Sequence, residues 1–191
     1  EYPTEIAEVA SMTMELFSMD YWNVFFSDPT ELQRAKEQQL ERVITIFPWI
    51  ATIDKFQHWI YTHPGHSHAE REEQWMSILE EFTSPLVDFT GLEKYRGVLW
   101  QRQLHLFEVP FYYIEYGIAQ LGAIGLWQQY KKDPAAALQN YLQALSLGGT
   151  RTLPQLFEAA ALSFDFSGPR ISQLMQFVKA ELDQITLTTS S

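Results

Sequence analysis

Apolar residues recur every three or four positions along most of the chain, and no stretch keeps the strict alternation of a half-buried strand for more than a few residues, so the pattern predicts an all-α protein. The first helix is expected from Pro3 or Thr4 to about Phe26, since a first-turn proline has no intrahelical N–H to lose. Asp28-Pro29-Thr30 breaks it and opens a second helix, which runs through Leu32, Leu40, Val43 and Phe47 towards Tyr61 and bends at Pro48. Pro64 and Gly65 mark a turn over Thr62 to His68, followed by a charged amphipathic helix from Ala69 to Phe82 that Ser84-Pro85 ends. A helix from Leu92 to about Leu106 stops before Pro110. The next, Phe111 to about Tyr130, is apolar almost all round, as a central buried helix is. Asp133 as N-cap with Pro134 behind it opens a helix to Leu147, and Gly148-Gly149 closes it. Thr152 to Ala161 and Ser167 to about Ile185 complete a multi-helix bundle. With no internal repeat and no long linker, one helical domain over 1–191 is expected, ending in a disordered polar tail over 186–191.

Composition narrows the partners. At 191 residues and 46% hydrophobic, the chain can fill a real core. A formal net charge of -11 and a pI near 4.8 exclude the clustered Lys and Arg with which a protein tracks nucleic-acid phosphates or anionic lipid. Neither nucleic acid nor membrane is an expected partner, and an acidic cytoplasmic protein fits. No cysteine is present, so a metal would have to be held by His and carboxylates. No apolar run approaches the ~20 residues of a membrane span, and Val109 to Trp127 is interrupted by Glu115 and Gln120.

Two segments could carry chemistry. In Glu8-Val9-Ala10-Ser11-Met12-Thr13-Met14-Glu15 the two outer carboxylates lie seven residues apart, about two turns, and so share a helix face that otherwise carries Ser11 and Met12. Carboxylates on a packing face are costly unless paired or bound to a cation; a solvated acidic stripe is the competing reading. In His105-Leu106-Phe107-Glu108-Val109-Pro110-Phe111-Tyr112-Tyr113-Ile114-Glu115-Tyr116, Tyr113 and Tyr116 are i,i+3 and can aim two phenols at one point, with Tyr112 competing for the place of Tyr113. A phenol is a neutral donor suited to an oxyanion, and core filling beside Gly117, Ala119 and Gly122 is the alternative. Trp100, Arg102 and Gln103, ahead of His105, would either border a cleft or simply pack. His63, His66 and His68 fall in one Pro-Gly turn, where an exposed loop outweighs a metal site.

Both segments, in this order and about a hundred residues apart, resemble the oligoendopeptidase F and thimet oligopeptidase family of zinc metallopeptidases, as does the helix-ending Leu147-Gly148-Gly149-Thr150. The resemblance implies the distal part of a larger α-helical catalytic domain. It implies Glu8 as third zinc ligand, Glu15 behind a ligand His, and His105, Tyr113 and Tyr116 as the groups that contact substrate and stabilise developing charge. Short peptides would be the substrates. The family's His-Glu-x-x-His is missing, because none of His58, His63, His66, His68 and His105 is followed by Glu. The expectation is therefore a fragment whose zinc belongs to the intact parent, which lacks peptidase activity alone, and which could dimerise through surface laid bare by truncation. A non-catalytic helical binding or scaffold module is the rival.

Overall fold

The computed structural model describes residues 2–187. Nine α-helices and no strand occur among them: α1 (Thr4–Ser18), α2 (Pro29–Thr62), α3 (His68–Phe82), α4 (Glu93–Arg96), α5 (His105–Glu108), α6 (Tyr113–Tyr130), α7 (Pro134–Ser146), α8 (Leu153–Ala159) and α9 (Gly168–Leu187). Short 3-10 turns follow α1, α4 and α7. The all-α expectation holds. Of the tail expected to be disordered, residues 188–191 lie outside the described residues, whereas Thr186 belongs to α9, where its hydroxyl contacts Glu37 at 3.1 Å. No described helix is long and apolar enough to cross a membrane.

Local chemistry sets the helix ends. Ser67 and Glu70 close a reciprocal capping box on α3, satisfying N–H groups that a first turn leaves bare. Asp133 accepts from the N–H groups of Ala135 and Ala136, with Pro134 in the first turn of α7. Inside α2, Pro48 has no N–H to give to Ile44, and the Thr52 hydroxyl donates to the Pro48 carbonyl at 2.8 Å.

The chain divides into two compact units, one of Glu1–Ile44 with Glu115–Ser191 and one of Thr45–Ile114. In the first, α6 is the buried element: every residue from Ala119 to Trp127 is buried. Gly122 lets neighbours come close, since a Cβ there would lie 3.0 Å from a Val9 methyl of α1 and 3.1 Å from the Phe157 ring of α8. Phe17 stacks on Tyr130 at 4.3 Å, Tyr141 donates to the Ala10 carbonyl, and Trp127 meets Phe177 of α9 edge-on at 5.0 Å. The second unit is built on aromatic rings. Ile53, Phe56, Trp75, Ile78, Leu79 and Trp100 form its buried centre, with Trp49, Trp59 and Tyr113 packed against it.

Three expected helices change form. The first is α-helical only to Ser18 and tightens into a 3-10 turn over Met19–Val24, with the Trp22 indole donating to the Ser18 hydroxyl at 3.0 Å. The helix expected over Leu92 to Leu106 is instead α4, a 3-10 turn over Leu99–Arg102 and α5. Trp75 takes the Arg96 carbonyl at 2.7 Å, occupying an acceptor that a continuing helix would need, and Gly97 adds little helix propensity. Gln103 then adopts an extended backbone. Lastly, Phe111 does not open α6. It sits in the left-handed region at φ 58°, a conformation costly for a bulky residue. Gln57, itself 2% exposed, takes its N–H at 3.0 Å, and its ring lies against His58 and Tyr61.

Candidate active-site residues

Glu8 is half-buried on α1. It forms a carboxylate group with Glu5, one turn earlier, and Glu115 of α6, whose carboxyl is pushed up from its ordinary range by burial and then by the charges of Glu5 and Glu8, with a hydrogen bond from Thr4 opposing. Glu115 Oε2 is buried and without a hydrogen-bond partner. Two turns on, Glu15 is exposed, and its Oε2 accepts from Gln39 of α2 at 3.0 Å. The shared helix face thus holds two different environments: Glu8 among like charges, Glu15 paired with a neutral amide. Ser11 turns back to the Glu8 carbonyl at 3.1 Å.

Within the second unit, His105 opens α5 and its ring is bordered by Tyr113, edge-on at 5.0 Å, and by Tyr112 at 5.7 Å. Both tyrosines stand beside the imidazole, so proximity does not choose between them. Gln103 Nε2 reaches His105 Nδ1 at 2.6 Å, and Gln103 Oε1 accepts from the Trp49 indole at 3.1 Å. Tyr116 is half-buried one helical turn beyond Tyr113 on α6. Of the residues ahead of His105, Trp100 is core and Arg102 is exposed.

The histidine turn is organised by aromatic stacking. His63 and His66 lie against the Trp59 ring at 5.0 and 4.9 Å, and Arg71 Nε donates to His66 Nε2 at 2.7 Å, occupying a nitrogen a metal would need. Among the described residues no group of three or more His, Asp or Glu is placed to hold a metal ion. Among the described residues, then, His and carboxylate side chains do not assemble a complete metal site.

Glu115 and Gln57 were not singled out by sequence as site residues, and Gln103 was weighed only as bordering a cleft or packing. Glu115 lies inside a quoted segment but counts there only as an interruption of an apolar run. The glutamines carry no pattern, because only the fold brings residues 54 positions apart into contact.

Residues 1–175 match the model of peptidase family M3. An X-ray structure described as oligoendopeptidase F is similar at a TM-score of 0.85 and 32% identity, covering 95% of this chain and 32% of its own. PZ peptidase A with an inhibitor is similar at a TM-score of 0.86 and 28% identity, covering 94% of this chain and 32% of its own. A structure from Bacillus anthracis str. Ames described as oligoendopeptidase F shares the fold at a TM-score of 0.76 and 23% identity, covering 96% of this chain and 29% of its own. The chain thus spans about a third of the length of the structures it matches. Among curated proteins, none matches.

Proposed function

The chain belongs to peptidase family M3, and on that premise we propose that it is the distal helical part of a cytoplasmic zinc-dependent oligoendopeptidase that hydrolyses short peptides. The observation that supports this most is the extent of the family match, which contains both the Glu8–Glu15 and the His105–Tyr116 segments. Bound zinc would supply an activated water and polarise the scissile carbonyl.

What this chain contributes follows from its own side chains. Glu8 is the proposed third ligand; its repulsive neighbours Glu5 and Glu115 would be relieved by a nearby cation. The other ligands and the general base lie outside these residues, so the chain alone is proposed to be inactive. Glu15, held by Gln39, would support a ligand from behind. His105, Tyr113 and Tyr116 would donate hydrogen bonds to the substrate carbonyl as negative charge develops on it.

The test is cleavage of a quenched fluorescent short peptide by the complete protein with zinc, with a chelator control. Glu8→Gln is expected to lower zinc content and to cut kcat/KM by more than about 100-fold, beyond the loss typical of an outer partner. Tyr116→Phe is expected to lower kcat by ~10²–10³ with zinc content unchanged, as loss of one oxyanion donor does. A Glu8→Gln protein that keeps both metal and activity removes Glu8 from the site. Cleavage by the 191-residue chain itself would overturn the reading that it is only part of the machinery.

A further inference from the structure

We propose that Gln103 is a positioning residue that decides which nitrogen of His105 carries the proton, and that Trp49 fixes Gln103 in turn, so that His105 is held as an Nε2–H donor. The three residues belong to one compact unit and form a single hydrogen-bonded chain from Trp49 through Gln103 to His105.

The direction of the chain follows from donor and acceptor inventory. An indole nitrogen can only donate, so the Trp49 contact of 3.1 Å must fall on the oxygen of the Gln103 amide, and this removes the usual ambiguity between amide O and N. The amide nitrogen, also only a donor, then faces His105 Nδ1 at 2.6 Å. That nitrogen must accept, and a neutral imidazole that accepts at Nδ1 carries its proton at Nε2.

The anchors are rigid at each step. Trp49 meets Trp75 edge-on at 5.9 Å, and Trp75 is fully buried with its own N–H pinned on the Arg96 carbonyl at 2.7 Å. Gln103 lies in extended backbone between a 3-10 turn and α5, which frees its side chain to span Trp49 and His105. The imidazole also meets the rings of Tyr113 at 5.0 Å and Tyr112 at 5.7 Å.

Chemically, this arrangement separates two roles that histidine can play. A ring whose Nδ1 is already engaged by a donor can offer Nε2–H to a carbonyl oxygen, whereas becoming doubly protonated would set two donors against each other. His105 is therefore suited to donate to a carbonyl and poorly suited to act as general base. The use of that donor on a peptide carbonyl rests on the peptidase reading above; the tautomer does not.

Long-range 1H–15N correlation spectra of the histidine-labelled chain, recorded without peptide well above the ordinary imidazole pKa of ~6.5, read the tautomer directly. The expected His105 pattern is a pyridine-type Nδ1 and a pyrrole-type Nε2. Because free imidazole already favours Nε2–H, the decisive comparison is Gln103→Glu, whose ionised carboxylate can only accept. It is expected to move the proton to Nδ1 or to hold His105 doubly protonated, while helical content by circular dichroism stays native. Trp49→Phe, which keeps a ring but loses the N–H, frees the amide to turn over and is expected to give a mixture of tautomers. An Nδ1–H tautomer in the unmodified chain overturns the proposal. So does an unchanged Nε2–H tautomer in folded Gln103→Glu, and where that variant does not fold, an unchanged tautomer in Trp49→Phe. Failure here leaves the peptide-cleavage test untouched, and failure of cleavage leaves the tautomer standing.

Discussion

Glu115 shows how little room a half-buried carboxylate has when its neighbours bear the same charge. Its pKa is raised in the folded protein, first by burial and then by Glu5 and Glu8. The neutral form is the one the fold favours, so its contribution to stability is fully present below the ordinary carboxyl value of 4.5 and is lost as pH rises through the higher folded value. Glu115→Gln is therefore expected to raise the urea midpoint at neutral pH, with the gain shrinking to nothing below about 4.5, the ordinary value. An equal gain at every pH would assign the effect to packing instead. In sequence this residue stands out only as an interruption of an apolar run. Which carboxylate is desolvated depends on where α6 comes to lie beside α1.

Gly122 lets two helices come close to α6. With Val9 and Phe157 at 3.0 and 3.1 Å from the position of an added Cβ, a branched side chain there must push α1 or α8 away. Gly122→Val is expected to destabilise by about 1–3 kcal/mol, the usual range for overpacking a filled core, measured as a fall in thermal midpoint. Most helices were legible beforehand. The apolar girth of α6, the Asp133-Pro134 start of α7 and the proline-spanning α2 all follow from local pattern. What was not legible is the break-up of Leu92 to Leu106, because the agent is a tryptophan twenty-one residues upstream that captures the Arg96 carbonyl. Nor does periodicity reveal that Phe111 holds a left-handed backbone with help from Gln57. Local pattern names the residue types of the candidate site, while their partners are set by contacts distant in sequence.

Two compact units, each with its own buried centre, give the molecule two separable reserves of stability. Trp75 belongs to the centre formed by residues 45–114, where it contacts Trp49 and Phe56 and is fully buried. Trp75→Ala is expected to cost about 3–5 kcal/mol and to release amide hydrogens of α3 and the second half of α2 to exchange far more than those of α7 and α8. Uniform loss of protection over the whole chain would show a single cooperative block. The placement of the indoles also makes the protein unevenly visible to ultraviolet light. Trp49, Trp59, Trp75 and Trp100 fall within residues 45–114, against Trp22 and Trp127 elsewhere, so emission on denaturation tracks mostly the ring-rich unit, whereas far-ultraviolet ellipticity reports helix throughout the chain. The two signals need not melt together, and the gap between their curves is a label-free gauge of how independently the two units come apart.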